Sequence, residues 1–120
     1  MKTEEIRNLP QRQHGWAYIY AGFQGNKIVY IGQTINLKQR MYQYSASNVL
    51  QRWTKIEYMC CVEEMARLAE SILIQLYQPE WNVQEHTTIE TTSRNIWFIH
   101  DVIEQFNKNE LSFDQVVAEI

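Results

Sequence analysis

The sequence has little of what marks a disordered, secreted or membrane-spanning chain. Its 120 residues include four Gly and two Pro, too few for a low-complexity protein. The two cysteines are adjacent, at Cys60 and Cys61, whereas a disulfide framework needs cysteines spread along the chain. No apolar run reaches the roughly 18 residues of a transmembrane helix, and no apolar segment follows the start as in a signal peptide. We therefore expect a cytoplasmic protein that does not contact membranes.

Two further features are missing. The three histidines are scattered and have no companions at the spacing of a structural zinc site. A chain of this length is one domain by the usual size range, and it buries roughly two-thirds of its unfolded surface, so it needs no metal or disulfide to fold. We therefore treat residues 1–120 as a single domain.

Positive charge is concentrated in the first half of the chain. Residues 1–55 hold eight Lys and Arg against two Glu, a net charge of +6. Residues 57–120 hold three Lys and Arg against twelve Asp and Glu, a net charge of −9, and the whole chain carries −3. This asymmetry indicates an anionic partner for the first half, although on charge alone a solvated surface is the commoner explanation.

Residues 16–31 have the composition of a β-hairpin. Aromatic and β-branched residues surround a Gly-Asn pair, which predicts strands near 17–23 and 28–31. An odd-numbered loop such as 25–27 is needed if four residues are to share one face of the sheet: Tyr18, Tyr20, Ile28 and Tyr30. We predict this odd loop.

The middle of the chain predicts two helices with a strand between them. Asn36 is a good N-cap for a helix that runs to about Tyr44, because side-chain oxygens of Asn satisfy the first free amides. Residues 56–62 alternate enough to form a third strand. Acidic residues then open a strong helix over 63–77, which Gln78-Pro79 ends.

The last third of the sequence predicts further helices. Residues 83–92 are polar and read as a loop, and apolar spacing over 96–106 predicts a long helix. Ser112 and Gln115 form a capping box before a last apolar stripe. The order of elements favours an α+β fold, with a small three-stranded antiparallel sheet flanked by helices and followed by additional C-terminal helices.

Glu70 is the most informative acidic residue. A helical wheel of residues 64–78 places it outside the polar arc, in a sector of apolar side chains. The wheel assigns the core face to five other residues: Met65, Leu68, Ala69, Ile72 and Leu76. A carboxylate in an apolar sector costs desolvation free energy unless a cation or hydrogen bonds compensate. Glu70 is therefore either a functional ligand or half of an ion pair, and the wheel favours neither.

Arg40 and the tyrosines add further candidates. Arg40 lies one helical turn before Tyr44, and its planar guanidinium suits a phosphate, although a surface Arg along the core edge is the commoner case. Three of the seven tyrosines fall in the hairpin, where aromatics are usually core residues. A phenol becomes a proton acceptor only beside a cation or metal.

Several short motifs occur in a characteristic order. They are IY at 19–20, YIGQT at 30–34, LKQR at 37–40, AESILI at 69–74 and PEWN at 79–82. In this order they resemble a GIY-YIG endonuclease domain. The resemblance spans residues 16–82, which we take as the nuclease-like core, with residues 83–120 as a helical extension.

The match has two departures from the family pattern. The first motif lacks its glycine, so its tyrosine is Tyr20 or, less well matched, Tyr18. The family often has a His one turn after the Arg, and Tyr44 occupies that place here.

The resemblance implies metal-dependent hydrolysis of a DNA phosphodiester. Glu70 would bind one Mg²⁺ or Mn²⁺, since a single carboxylate suits an ion that keeps several waters and takes phosphate oxygens. Arg40 would stabilise the pentavalent charge. Either Tyr20 or Tyr30 would accept the proton of the attacking water, and Tyr44 would orient water or phosphate.

The remaining site residues follow from the same resemblance. Asn82 would brace the site, and Gly32 would let the backbone approach a phosphate because a Cβ would crowd it. Thr34 is assigned a structural role. The residues expected to contact the substrate are Tyr18, Gly32, Lys38 and Lys55.

A second interpretation keeps the fold but not the catalysis, so that the chain binds nucleic acid or a protein. The joint presence of Glu70, Arg40, Tyr30 and Asn82 argues against it. A third, a helical interaction protein that uses the acidic second half, has no chemical motif in its support. The extension is too short for a second core, so specificity is expected to come from loops, a homodimer or a partner chain.

Overall fold

The computed structural model describes residues 3–85 and 112–119. Within them lie three strands: β1 (Trp16–Gln24), β2 (Lys27–Thr34) and β3 (Lys55–Val62). They form one antiparallel sheet in the order β2-β1-β3. The predicted α+β class and the three-stranded sheet are confirmed. Each strand extends beyond its predicted bounds, because backbone pairing continues where the apolar alternation has already stopped.

The hairpin between β1 and β2 differs from its prediction. Gln24 pairs with Lys27, so the loop has two residues and not three, and Gly25 adopts the left-handed conformation that it requires (φ 62°). A β-bulge follows between Gly22 and Phe23 and shifts the register by one residue. The bulge brings Tyr30 to the face of Tyr20, as expected, but leaves Ile28 on the opposite face.

Four helices and three 3₁₀ turns complete the described structure. The helices are α1 (Thr3–Arg7), α2 (Leu37–Ala46), α3 (Ala66–Tyr77) and α4 (Phe113–Glu119), and the 3₁₀ turns are Leu50–Arg52, Glu63–Met65 and Glu80–Glu85. Helix α2 runs two residues beyond its predicted end at Tyr44, and the predicted start of α3 at 63 is a 3₁₀ turn, whereas three predicted end signals are present. Asn36 Oδ1 accepts the Gln39 amide at 3.2 Å at the start of α2. Gln78 ends α3 in the left-handed region, and Gln115 Oε1 accepts the Ser112 amide at 2.9 Å before α4.

The sheet has two differently built faces. The first, which we call the α3 face, packs against α3 and α4 and buries Ala17, Ile19, Ala21, Phe23, Ile28 and Ile31 of the sheet. The second, the α2 face, packs against α1, α2 and the 3₁₀ turn at Leu50–Arg52 and buries Tyr18, Tyr20, Val29 and Trp53. Alternation along β1 sends successive side chains to these two faces.

The core side of α3 is rotated from its predicted position. Its buried residues are Ala66, Ala69, Ile72, Leu73 and Ile74, whereas Leu68 and Leu76 are only partly buried. The predicted core face was therefore partly wrong. The sector that contains Glu70 packs against the sheet, and Glu70 itself is half-buried.

Some predictions lie outside the described residues. These are the helix over 96–106 and most of the loop over 83–92, so the organisation of residues 1–120 as one domain stays a prediction. None of the helices within residues 3–85 and 112–119 is long and apolar enough to cross a membrane. Cys60 and Cys61 are free thiols.

Candidate active site

The α2 face holds a cluster of hydroxyl and guanidinium groups around Tyr20. The side chain of Tyr20 is fully buried at the centre of β1. Its oxygen lies 2.6 Å from the hydroxyl of Tyr44, and either hydroxyl can be the donor. Arg40 donates from Nη1 to the same Tyr20 oxygen at 3.3 Å. Strand β1 and helix α2 thus join three of the sequence-predicted site residues by hydrogen bonds.

Gly32 leaves the space that the Tyr20 side chain occupies. It lies directly opposite Tyr20 in the register of β1 and β2. A Cβ at this position would overlap the Tyr20 phenol ring and its oxygen. The resemblance predicts that a phosphate approaches the backbone at Gly32. In the structure, the group that lies close to Gly32 is the Tyr20 side chain.

The electrostatics of the cluster keep Tyr20 neutral and Arg40 charged. Burial raises the pKa of the Tyr20 hydroxyl well above its ordinary value, and the neighbouring Tyr44 raises it further. Burial opposes the charge on Arg40, but hydrogen bonds and Coulomb interactions with Tyr44 and Tyr20 outweigh it, so the pKa of Arg40 is raised. A neutral, hydrogen-bonded phenol and a fixed cation are the result.

Tyr30 borders the cluster from β2 and is half-buried, in contrast to Tyr20. Its ring centroid lies 6.2 Å from that of Tyr20 and 6.4 Å from that of Tyr44. The β-bulge beside Gly22 is what brings it to this face. Tyr30 therefore stands between the buried hydroxyl cluster and solvent.

A row of aromatic rings extends the cluster. Trp53 stacks on Tyr30 with centroids 5.8 Å apart and an interplanar angle of 18°, and Trp81 lies 5.8 Å beyond Trp53. The Arg52 guanidinium lies 4.3 Å above the centre of the Trp81 ring. Gly22 leaves the space for Trp53, since a Cβ there would lie 2.5 Å from its ring.

Asn82 braces the outer strand of the sheet. Only 2% of its side chain is exposed. Its Oδ1 accepts the Ile31 amide at 2.8 Å, and its Nδ2 donates to the Ile31 carbonyl at 2.9 Å. Because β2 is an edge strand, this side chain takes the place of a neighbouring strand and fixes the backbone beside Tyr30. The predicted bracing position fits this contact, whereas its burial keeps Asn82 from touching a substrate.

Glu70 approaches the sheet from α3, the helix that covers the other face. It is half-buried and follows the fully buried Ala69. Residues 3–85 and 112–119 contain no group of three His, Cys, Asp or Glu that could hold a metal ion. A metal bound at Glu70 would therefore not be enclosed by a cage of such side chains.

The structure does not bring Lys38 and Lys55 together with Arg40. Lys38 precedes Arg40 by two positions, which places it about 160° away around the helix. Lys55 lies on the α3 side of the sheet, with its Nζ 4.4 Å from the centre of the Phe23 ring and 3.6 Å from Glu57. Their predicted contacts with substrate stay predictions. A substrate that touches Lys38 or Lys55 would have to reach a surface other than the one that carries Arg40.

Tyr18 is likewise separate from the cluster. It is buried beside Tyr58, with ring centroids 6.2 Å apart, and burial raises the pKa of its hydroxyl. Of the two candidates for the tyrosine of the first motif, Tyr20 is the one in contact with Arg40 and Tyr44. Thr34 has the structural contact assigned to it, since its Oγ1 accepts the Asn36 amide at 3.1 Å before α2.

The sequence did not single out Trp53. Trp53 follows a 3₁₀ turn, where no apolar period reveals which side a residue faces, and its partner Gly22 is a strand glycine with no turn to explain it. A glycine inside a strand indicates a close approach by another group, and this was the available signal.

Comparisons with known proteins identify relatives and a similar fold. No protein-family model matches the chain. It is 31% identical over 88 residues to UvrABC system protein C of Dictyoglomus thermophilum, and 32% identical over 97 residues to that of Bacteroides fragilis. These alignments cover 68% and 69% of this chain but only 14% and 16% of the two relatives.

A solved structure gives the fold. The chain is similar to the GIY-YIG N-terminal endonuclease domain of UvrC from Thermotoga maritima, a point mutant bound to its catalytic divalent cation. The TM-score is 0.55 at 23% identity, and the match covers 68% of this chain and 97% of that domain. The chain therefore has the GIY-YIG fold, and the resemblance predicted from its sequence is confirmed.

Proposed function

We propose, from the GIY-YIG fold and from the groups gathered on the α2 face, that this chain is a divalent-metal-dependent endonuclease that hydrolyses DNA phosphodiester bonds. The observation that carries the proposal is the Arg40–Tyr20–Tyr44 cluster beside Tyr30. A half-buried guanidinium that donates to a buried phenol is a costly arrangement for structure alone, whereas it suits the charge of a transition-state phosphate.

Arg40 is proposed to stabilise the pentavalent phosphate. Its Nη1 donates to Tyr20, and a guanidinium has five N–H donors, which is more than its contacts with Tyr20 and Tyr44 require. Because the guanidinium is already oriented, it loses little side-chain entropy when the substrate binds. Tyr44 would then hold the attacking water or a phosphate oxygen through its hydroxyl.

Tyr30 is the stronger candidate for the proton acceptor. Water attacks phosphorus as its proton leaves, and the bond from phosphorus to the 3′-oxygen breaks. An acceptor must first have lost its own proton, which burial opposes in Tyr20. Tyr30 is half-buried and reaches solvent, so we assign the proton transfer to it and the positioning of Arg40 to Tyr20.

One Mg²⁺ or Mn²⁺ is proposed to bind at Glu70. The donor set fits such an ion, because a single carboxylate suffices for a cation that keeps most of its waters. When bound, the ion would polarise the scissile phosphate and stabilise the departing oxygen. The relative from Thermotoga maritima, whose domain holds a divalent cation, supports this part of the proposal.

DNA is the proposed substrate, because the relatives are named as components of the UvrABC system and the similar domain as an endonuclease. The chain spans a small share of those relatives, so its specificity is proposed to depend on a second copy or on a partner chain. A cytoplasmic location belongs to the same proposal.

Cleavage assays test the proposal directly. Single-stranded, duplex and branched DNA are incubated with the chain in Mg²⁺, in Mn²⁺ and in EDTA. Glu70→Gln is expected to abolish cleavage while the fold and DNA affinity are largely kept. Glu64→Gln is the matched control, since Glu64 is an exposed glutamate just before α3, and its variant is expected to cut like wild type.

Two results would contradict the proposal. Cleavage that persists in EDTA or in Glu70→Gln would remove the metal from the mechanism, and a Glu70→Gln variant that melts early but still cuts would make Glu70 structural. Binding of DNA without cleavage of any substrate would support the alternative, a catalytically inactive GIY-YIG-fold binding module.

A further inference from the structure

A shallow groove runs along the side of α2 that faces away from the active site. Its volume is about 780 Å³. Arg12, in the segment between α1 and β1, lines it together with residues of α2 and its cap, among them Asn36, Lys38 and Tyr42. Since a helix advances by about 100° per residue, Lys38 and Tyr42 both lie about 160° from Arg40. The groove is therefore separate from the catalytic cluster.

The groove is positively charged although the chain as a whole carries −3. None of the described residues that line it is acidic. Other lysines of the first half are neutralised: Lys27 lies 3.8 Å from Glu80, and Lys55 lies 3.6 Å from Glu57. Within residues 3–85 and 112–119, no such ion pair is formed by Arg12 or Lys38. Their charge remains available to an anion.

The other lining groups suit a nucleic-acid strand. Asn36 uses its Oδ1 to cap α2, which leaves its amide N–H groups to donate outward. Gln39 and Gln43 line the groove from exposed positions on α2. Tyr42 is 43% exposed, an unusual position for a large aromatic ring. Cations for phosphates, amides for base edges and a ring for a base face are the groups that single-stranded DNA requires.

The dimensions agree with a short stretch of strand. The lining runs from Asn36 to Ala46, about 15 Å at 1.5 Å per residue. A strand whose bases stay stacked as in B-form DNA, at 3.4 Å per nucleotide, would place about four nucleotides along this length. We infer that the groove is a second nucleic-acid site, which holds a single-stranded segment of DNA outside the active site through Arg12, Lys38 and Tyr42. The identity of the strand as DNA rests on the proposed function.

Binding measured against salt concentration tests the two cations. A short fluorescein-labelled oligothymidylate is titrated with the full chain in EDTA, where metal-dependent cleavage is prevented. Arg12→Gln and Lys38→Gln are each expected to lower the salt slope of log K by about 0.7, which is about fivefold weaker binding at 0.1 M salt. The matched control, Lys27→Gln, removes the same charge from a position beside Glu80 and outside the groove, and is expected to leave the slope unchanged.

Tyr42 provides an independent readout. Tyr42→Ala is expected to weaken binding about tenfold without changing the salt slope, because stacking on a base releases no counterions. Tyr58→Ala is the control, since Tyr58 is also an exposed tyrosine, 37% exposed on β3. Thermal melting of every variant confirms that the fold is kept.

The outcomes separate this inference from the proposed function. Unchanged slopes for both Arg12→Gln and Lys38→Gln, or a slope that falls instead for Arg52→Gln, would overturn the groove and leave the nuclease proposal standing. Wild-type protein that does not bind the oligothymidylate would also overturn it. Groove variants that behave as expected in a protein that cleaves no DNA would support the groove and contradict the nuclease proposal.

Discussion

The two faces of the sheet are built from different kinds of residue, although β1 contributes to both. The α3 face buries Ala17, Ile19 and Ala21 against aliphatic residues of α3, and its fully buried side chains contain no nitrogen or oxygen. The α2 face buries Tyr18 and Tyr20 against a mixture of aromatic and aliphatic groups. Alternation along β1 therefore sends its aliphatic side chains to one face and its two tyrosines to the other.

This difference shows why the candidate catalytic groups are close together. A buried phenol needs a hydrogen-bonding partner, and both partners of Tyr20 are themselves candidate site residues. Because Tyr44 and Arg40 satisfy it, the cost of burying one hydroxyl fixes the geometry of all three. The fully buried side chains of the α3 face are hydrocarbons, so hydrogen bonding places no such constraint on them.

Truncation of a buried side chain on either face is expected to have the largest effect on stability. The accompanying change in cleavage rate is expected to distinguish the two faces. Ile72→Ala on the α3 face and Met41→Ala on the α2 face each remove a fully buried side chain, at a cost of about 2–5 kcal/mol in the free energy of unfolding. Met41→Ala should lower the cleavage rate of the folded protein more than Ile72→Ala does, because Met41 adjoins Arg40. Denaturant unfolding with single-turnover kinetics measures both, and equal rate losses would contradict the separation.

Arg40→Lys is expected to lower the cleavage rate by about 100-fold, close to 3 kcal/mol of transition-state stabilisation. An ammonium group replaces a planar fork, so it cannot bond to Tyr20 and to a phosphate in the same geometry. Stability should change little, because Arg40 is half-buried and the aliphatic stem remains. A near-wild-type single-turnover rate would remove Arg40 from the reaction, and Arg52→Lys provides the control for a lost guanidinium elsewhere.

Gly32→Ala is expected to cost about 1–3 kcal/mol of stability, because the new methyl group overlaps the Tyr20 ring. Displacement of Tyr20 should also release Arg40 and lower activity in the remaining folded protein. Gly25→Ala is the matched control, since nothing lies within 4 Å of its Cβ and only its positive φ opposes the change. A Gly32→Ala variant that is stable and fully active would show that Tyr20 can move without consequence.

The sequence predicted the elements of both faces better than it predicted their register. The aromatic and β-branched composition of β1 and the Asn36 cap indicate local structure that tertiary contacts did not override. The two-residue turn could not be recognised because the bulge compensates for it one step later, with Val29 as the extra residue. The alternation of residue types does not reveal two register shifts, one from the shorter turn and one from the bulge, because together they leave Tyr20 and Tyr30 on the same face.

More residues of the candidate site were proposed from the family motifs than from helical periodicity and other local patterns. Helical periodicity placed Glu70 in an apolar sector, and the structure agrees that this sector faces the sheet. The contact between Arg40 and Tyr20 joins residues 20 positions apart on different elements, which no local pattern encodes. The Trp53 contacts are long-range for the same reason, and only the strand glycine Gly22 hinted at them.

The smallest expected effect appears at alkaline pH and compares one tyrosine from each face. Burial raises the pKa of Tyr20 above its ordinary value near 10 and that of Tyr77, at the edge of the α3 face, to about 12. An unfolded tyrosine loses its proton near pH 10, so above that pH the folded state retains more protons and its stability falls as pH rises.

The contribution of each tyrosine to the free energy of unfolding is fully present below pH 10. Each raised tyrosine adds a slope of at most about 1.4 kcal/mol per pH unit, and the slope for Tyr77 ends near pH 12 and is smaller because Tyr77 is only half-buried and solvent screens its interactions. Urea unfolding between pH 9 and about 11.5 should therefore show a shallower decline in Tyr20→Phe and in Tyr77→Phe than in wild type, with the exposed Tyr42→Phe as control. An unchanged decline in Tyr20→Phe would mean that its hydroxyl is as well solvated as in the unfolded chain, and the difference between the faces would then lie in packing alone.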